Sequence, residues 1–116
     1  MPKRGDRVAP PAAPEQWELR FGDGDAADGW EDLCKQAPGP TRAAYDAIAR
    51  SPRDSTQPGR QHRLKGQLGT RQVAGKQLEQ WQFEVTGAGR VWYCIDDERR
   101  RVVLTLATTR HPKQTE

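Results

Sequence analysis

Long apolar runs are missing from this 116-residue chain, of which only 34% is hydrophobic. No stretch approaches the roughly 20 apolar residues of a bilayer-spanning helix, so no membrane partner is expected. Cysteine and histidine are equally scarce, with two of each. Cys34 and Cys94 are far apart and lack ligand spacing, which points to free thiols in a cytoplasmic protein and to no structural metal site. The opening stretch MPKRGDRVAPPAAP is basic and proline-rich but lacks the apolar segment of a secretory signal; residues 1–14 are expected to be a disordered lead-in. Phosphate-loop, HExxH, CxxC and GxSxG motifs are absent too. The Gly87-Ala88-Gly89 triplet has neither the third glycine nor the following helix of a dinucleotide fingerprint.

The charge that is present is unevenly placed. Residues 1–59 hold 8 Lys and Arg against 10 Asp and Glu, a net of −2, while residues 60–116 hold 11 against 6, a net of +5, together the +3 of the whole chain. A basic half on a small domain calls for an anionic partner, and nucleic acid is the commonest one.

The hydrophobic pattern resolves into one domain. Trp17-Glu18-Leu19-Arg20-Phe21 alternates with period two and predicts a strand with Trp17, Leu19 and Phe21 inward. Asp25 is a candidate N-cap for a helix whose inner face is Ala26, Ala27, Trp30, Leu33, Cys34 and Ala37. Pro38-Gly39-Pro40 is expected to end it, and Thr41 to Arg50 to form a second helix stopped by Pro52. Residues 51–60 read as a loop, 62–66 as a short alternating segment, and 67–78 as a mobile loop or ragged strand end. Residues 81–85 and 90–95 flank Thr86-Gly87-Ala88-Gly89 as a hairpin. The last strand, 101–109, carries Val102, Leu104 and Leu106 on one side and Val103, Thr105 and Ala107 on the other, as suits a central strand. This order predicts an α+β fold: an N-terminal strand, a two-helix hairpin, and a mainly antiparallel sheet of three or four further strands with the helices on one face.

Chemistry-bearing residues gather in the basic half. By parity Arg63 and Lys65 share one strand face, Arg90 and Trp92 share another, and His111 follows the final strand. Converging on the uncovered sheet face, such groups suit a phosphodiester, because guanidinium and ammonium groups neutralise phosphate while an aromatic ring stacks on a base. Taken singly, Arg63, Lys65 and His111 are more often ordinary surface residues, Trp92 and Tyr93 more often core, and Arg90 as often one as the other; the combination carries the expectation.

The segments Arg63-Leu64-Lys65-Gly66, WQFEVTGAGRVWYCIDD at 81–97 and VVLTLATTRHPK at 102–113 resemble, in order and spacing, the RelE-like branch of the RelE/ParE superfamily of bacterial type II toxins, as found in actinobacteria. The resemblance spans residues 15–113 and leaves 114–116 as a tail. It implies a ribosome-dependent mRNA endonuclease that inhibits translation by assisting a 2′-hydroxyl to attack the adjacent phosphate, without cofactor or metal. It further implies catalytic roles for Arg63, Lys65, Arg90 and His111, and RNA contacts by Trp92, Tyr93 and Lys113. The expected partners are the ribosome, mRNA and a cognate antitoxin, often of helix-turn-helix type. This chain lacks the family's C-terminal stacking tyrosine: Trp92 takes that role, or His111 combines it with proton transfer, or cleavage is weak. The alternatives are a ParE-like inhibitor of DNA gyrase and a non-enzymatic cationic binding module.

Overall fold

A computed structural model describes residues 2–112. The alternating run forms β1 (Glu18–Phe21) with Leu19 and Phe21 buried, and Trp17 packs partly buried against the same core just before it. Asp23 then caps α1 (Gly24–Gln36), its carboxylate accepting the Ala26 N–H at 2.8 Å. The cap is thus Asp23, not Asp25, which stands in the first turn where its charge meets the positive end of the helix dipole. Pro38, Gly39 and Pro40 do not separate the helices; they are the first turn of α2 (Pro38–Arg50). First-turn N–H groups have no acceptor within the helix, so proline sacrifices nothing there. The Thr41 hydroxyl donates to the Leu33 carbonyl at 3.1 Å and ties the two helices together.

The strands that follow are β2 (Gln61–Arg63), β3 (Thr70–Val73), β4 (Lys76–Glu84), β5 (Arg90–Asp96) and β6 (Arg101–Thr108), with a 3-10 turn at Gly66–Gly69. Their order in the sheet is β1-β6-β5-β4-β2, with β3 paired to β4 as well. β1 runs parallel to β6, and every other pairing is antiparallel. The fold is α+β. Ala26, Ala27, Trp30, Leu33, Ala44, Tyr45, Ile48 and Ala49 from the helices share one core with Leu19, Phe21, Phe83, Val91, Tyr93, Ile95, Val102 and Leu104 from the sheet. Among the described residues no helix is long and apolar enough to cross a membrane.

Three expectations need correction. Of residues 67–78, expected as a mobile loop or ragged strand end, 67–69 complete the 3-10 turn and 70–78 belong to the β3–β4 hairpin, closed at Ala74-Gly75 with φ of 50° and 82°. Two left-handed residues match the twist of the paired strands, whereas Thr-Arg-Gln-Val lacks the apolar alternation that announces a strand. In β6, Trp92 pairs with Leu106 while Tyr93 pairs with Leu104, so Thr105 is an extra, bulged residue. Beyond it the inward parity reverses, and Ala107 instead of Leu106 completes the core. The lead-in is packed, not disordered. The N–H groups of Gly5 and Val8 donate to the Phe21 and Leu19 carbonyls, each at 2.8 Å, and Phe21 donates back to Asp6 at 3.0 Å. Val8 is 0% exposed, and the Tyr45 hydroxyl donates to the Pro10 carbonyl.

Gly29 sets how closely α1 lies on β6. A Cβ at this position would stand 1.8 Å from the Ala107 carbonyl oxygen, so helix and strand approach to backbone contact. Replacement by alanine must push the helix off the sheet, an overpacking cost of roughly 3 kcal/mol. We expect Gly29→Ala to lower the urea midpoint accordingly, measured by far-UV circular dichroism; an unchanged midpoint would show that α1 can lift without loss.

Candidate nucleic-acid interface

Strand register decides which of the expected site residues can meet. Arg63 pairs with Trp81, which belongs to the helix-side core, while Arg90 pairs with Glu84 and Trp92 with Gln82 on the opposite face. Arg63 and Arg90 therefore lie on different faces of the sheet. Arg63 is exposed and donates from Nε to the Gly69 carbonyl at 3.1 Å; Lys65 is exposed at the start of the 3-10 turn. The β2 residue on the open face is His62, paired with Gln82 and with Nδ1 2.9 Å from the Pro58 carbonyl. His111 is exposed beyond the end of β6. Lys113 lies outside the described residues.

Arg90 is committed to the chain itself. It is 8% exposed, and Nη1 stands 3.0, 3.2 and 3.0 Å from the carbonyls of Thr86, Gly87 and Gly89, with Nη2 3.7 Å from Glu84. Its guanidinium closes the β4–β5 turn from inside. The two aromatic residues expected to stack on bases are buried as well. Trp92 is 2% exposed on the open face and donates to Gln82 Oε1 at 2.9 Å. The Leu64 N–H continues the pairing to β4 by donating to the Gln80 carbonyl at 3.0 Å, and the segment that follows is held to this face by Gln80 Nε2, which donates to the Leu68 carbonyl at 2.8 Å. Tyr93 points the other way into the helix-side core, 0% exposed, with its hydroxyl donating to the Pro52 carbonyl at 2.8 Å and accepting from Gln61 Nε2 at 2.9 Å. Burial raises its pKa above the ordinary tyrosine range. Neither ring has a face to offer a base.

A different set of cations does converge. At the end of the open face marked by the Asp96–Arg101 pair, a cavity of about 570 Å³ is floored by Arg101, Val103 and Thr105 of β6 and by Asp96 of β5. Arg20 and the turn after β1 form one wall, the β3–β4 hairpin from Arg71 to Ala74 the other, and Arg4 and Arg99 stand at the rim. Five arginines thus line the cleft against Asp23 and Asp96. Asp23 is the α1 cap, and Asp96 is held by Lys76 Nζ at 3.6 Å and Arg99 Nη1 at 3.5 Å. Glu18, just outside, accepts from Arg20 Nε and Arg101 Nε at 2.9 Å each. These hydrogen bonds, that from Arg20 foremost, hold the Glu18 carboxyl below its ordinary range. The side chains of Arg4 and Arg71 have no hydrogen bond or ion pair among the described residues. Burial pushes the Cys94 thiol up to about 12 despite the opposing charge of Arg71, so it stays protonated and unreactive at neutral pH.

Guanidinium groups bind phosphate through paired N–H donors, and several together neutralise a passing backbone. The cleft thus sets five guanidiniums against two carboxylates, a balance of charge that suits an anion. No group of three or more His, Cys, Asp or Glu that could hold a metal occurs among the described residues, and neither imidazole lines the cleft. The sequence did contain a trace of this site: the strand that buries Leu19 and Phe21 must put Glu18 and Arg20 on the other face. Arg71 was hidden in a segment without strand signal, and the convergence of Arg99 and Arg101 with β1 depends on the sheet order. Compared with known proteins, the chain matches no protein-family model, and no curated protein shows significant sequence similarity to it.

These placements separate scaffold from interface. Arg90→Ala removes the side-chain donor to the Thr86 and Gly87 carbonyls and one of the donors to Gly89, at a cost of about 1–3 kcal/mol. Tyr93→Phe removes one hydrogen bond each from the Gln61 amide and the Pro52 carbonyl, which still bond to one another, at a cost of about 1 kcal/mol. Thermal unfolding should show both losses while the affinity for single-stranded RNA, read by fluorescence anisotropy, stays at the wild-type value. Weakened binding by a fully stable Arg90→Ala protein would return Arg90 to the phosphate site.

Proposed function

We propose that the chain is a RelE-like toxin that acts in the cytoplasm as a ribosome-dependent mRNA endonuclease, and that the scissile strand lies in the arginine cleft. The cleft, five arginines around a cavity of about 570 Å³ on the sheet face that the helices leave open, is the observation that carries this reading. The order of elements supports it: a strand, a helix pair, Leu64-Lys65-Gly66, a strand pair whose second member opens with Arg90, an acidic turn and a terminal strand.

The chemistry in this reading begins with the 2′-hydroxyl of one nucleotide. Its oxygen bonds to the adjacent phosphorus as its proton passes to solvent water, and the bond from phosphorus to the 5′-oxygen breaks as that oxygen takes up a proton from water. The products are a 2′,3′-cyclic phosphate and a 5′-hydroxyl. The phosphorane carries an additional negative charge, which Arg71, Arg99 and Arg101 neutralise while holding the strand in line. With both imidazoles outside the cleft, charge and positioning supply the larger share of catalysis. Arg63, Lys65 and His111 serve as contacts to RNA beyond the scissile phosphate. The antitoxin, in the same reading, is a partner whose acidic segment covers the cleft.

One observation favours a second reading, inhibition of DNA gyrase in the ParE manner: Arg63, Arg90 and His111 are not brought together, and Arg90 is spent on the β4–β5 turn. Primer extension on a defined mRNA, with and without programmed ribosomes, separates the two. We expect cuts within codons that require ribosomes and fall by about a hundredfold in Arg71→Ala/Arg101→Ala. Intact mRNA in every lane, together with growth arrest and a DNA-damage response on expression, would establish the gyrase reading instead.

A further inference from the structure

Glu18 is out of place electrostatically. A carboxylate beside a cationic cleft opposes any anion that enters, yet Glu18 is bonded to two of the five arginines. The parallel register sets it directly beside Arg101, and the two-residue repeat of β1 puts Arg20 on the same face. Its Oε1 accepts from both Nε atoms at 2.9 Å, and Glu18 itself is not part of the cleft lining, whereas Arg20 and Arg101 are. The carboxylate therefore holds the two guanidiniums through the nitrogen nearest each side-chain stem. The Nη1–Nη2 edge, one of the two edges of a guanidinium that can pair bidentately with phosphate, is not taken up by Glu18. Both Nη atoms of Arg101 have no partner among the described residues, and Arg20 uses only Nη1, toward the Gly5 carbonyl at 3.0 Å.

We infer that Glu18 is a positioning residue which fixes Arg20 and Arg101 as a pre-aligned receptor for one phosphate group of a single-stranded RNA; this rests on the cleft being the RNA site. All three side chains are partly exposed, and such surface ion pairs contribute little to stability. Two long side chains held in one geometry also lose less freedom when the ligand arrives.

Geometry and charge make opposite predictions for two conservative variants. Glu18→Asp keeps the charge but is one methylene too short to reach both Nε atoms; Glu18→Gln keeps an acceptor oxygen in place and removes the charge. Binding of a labelled single-stranded oligoribonucleotide to the full chain is measured by anisotropy across a salt series, alongside the thermal midpoint of each protein. We expect Glu18→Asp to bind about tenfold more weakly, the equivalent of one charge-assisted hydrogen bond. Its slope of log affinity against log salt should be shallower by about 0.7, one phosphate contact on a single strand. Glu18→Gln should bind as tightly as the wild type or more so, with all midpoints close together. Wild-type affinity in Glu18→Asp, or a loss in Glu18→Gln equal to that in Glu18→Asp, would overturn the positioning role while leaving the cleft as the RNA site. Failure of the wild-type protein to bind the free oligoribonucleotide at all would overturn the positioning role, while the ribosome-dependent reading stands or falls on the primer-extension result.

Discussion

The parallel pairing of β1 with β6 is the contact on which the remaining architecture depends. Strands that run the same way cannot be joined by a tight turn, so everything between Phe21 and Arg101 becomes the crossover: two helices on one face and an antiparallel meander that returns the chain to its starting side. The same register places Leu19 beside Val102 and Phe21 beside Leu104 in the core, and Glu18 beside Arg101 on the far face. One alignment therefore sets both the hydrophobic layer and the charged one. A slip by a single residue would exchange them.

The two faces of the sheet are finished differently. The helix side is a continuous apolar layer, closed tightly enough that α1 meets β6 backbone to backbone at Gly29. The other side is apolar only in the middle, where Trp92, Cys94 and Leu64 are buried and Gln80 and Thr105 satisfy one another. Toward the Arg101 end it opens into the cleft. The Thr105 bulge stands between these regions, and bulges commonly redirect side chains beside functional sites. Arg90 and the cleft lie at opposite ends of β5, about 20 Å apart by strand rise, which is why cations close in the sequence do not form one site.

Most of the fold was legible, because period-two and helical alternation report directly on which residues face a core. β1, both helices, the β4–β5 hairpin and the place of β6 inside the sheet, between β1 and β5, all follow from apolar spacing. What escaped was set by other forces. β3 is held by pairing and a left-handed turn with no apolar stripe, the Asp23 cap depends on which carboxylate reaches an N–H, and the Thr105 bulge inverts a parity that looked regular. The lead-in is held by backbone bonds to β1 and by one valine, Val8, too little signal to separate from a tail. The site was legible in kind, arginines on an open sheet face, but not in membership. Parity along one strand says nothing about the face of the next until pairing is known, and that is how Arg63 and Arg90 came to be grouped while Arg20, Arg71 and Arg101 were not.

The segment Gly5–Val8 also bears on how this sheet meets other chains. A terminal strand with unpaired N–H and C=O groups is a template for strand addition by a neighbouring molecule. Here the chain's own beginning occupies that place along β1, bonding to Leu19 and Phe21 from the outside. On the far side of the sheet β2 is only three residues long, too short to recruit a foreign strand with much force. The sheet is thus covered along β1 by its own backbone and offers only the short strands β2 and β3 at its other margin, so neither margin is a good template for a foreign strand.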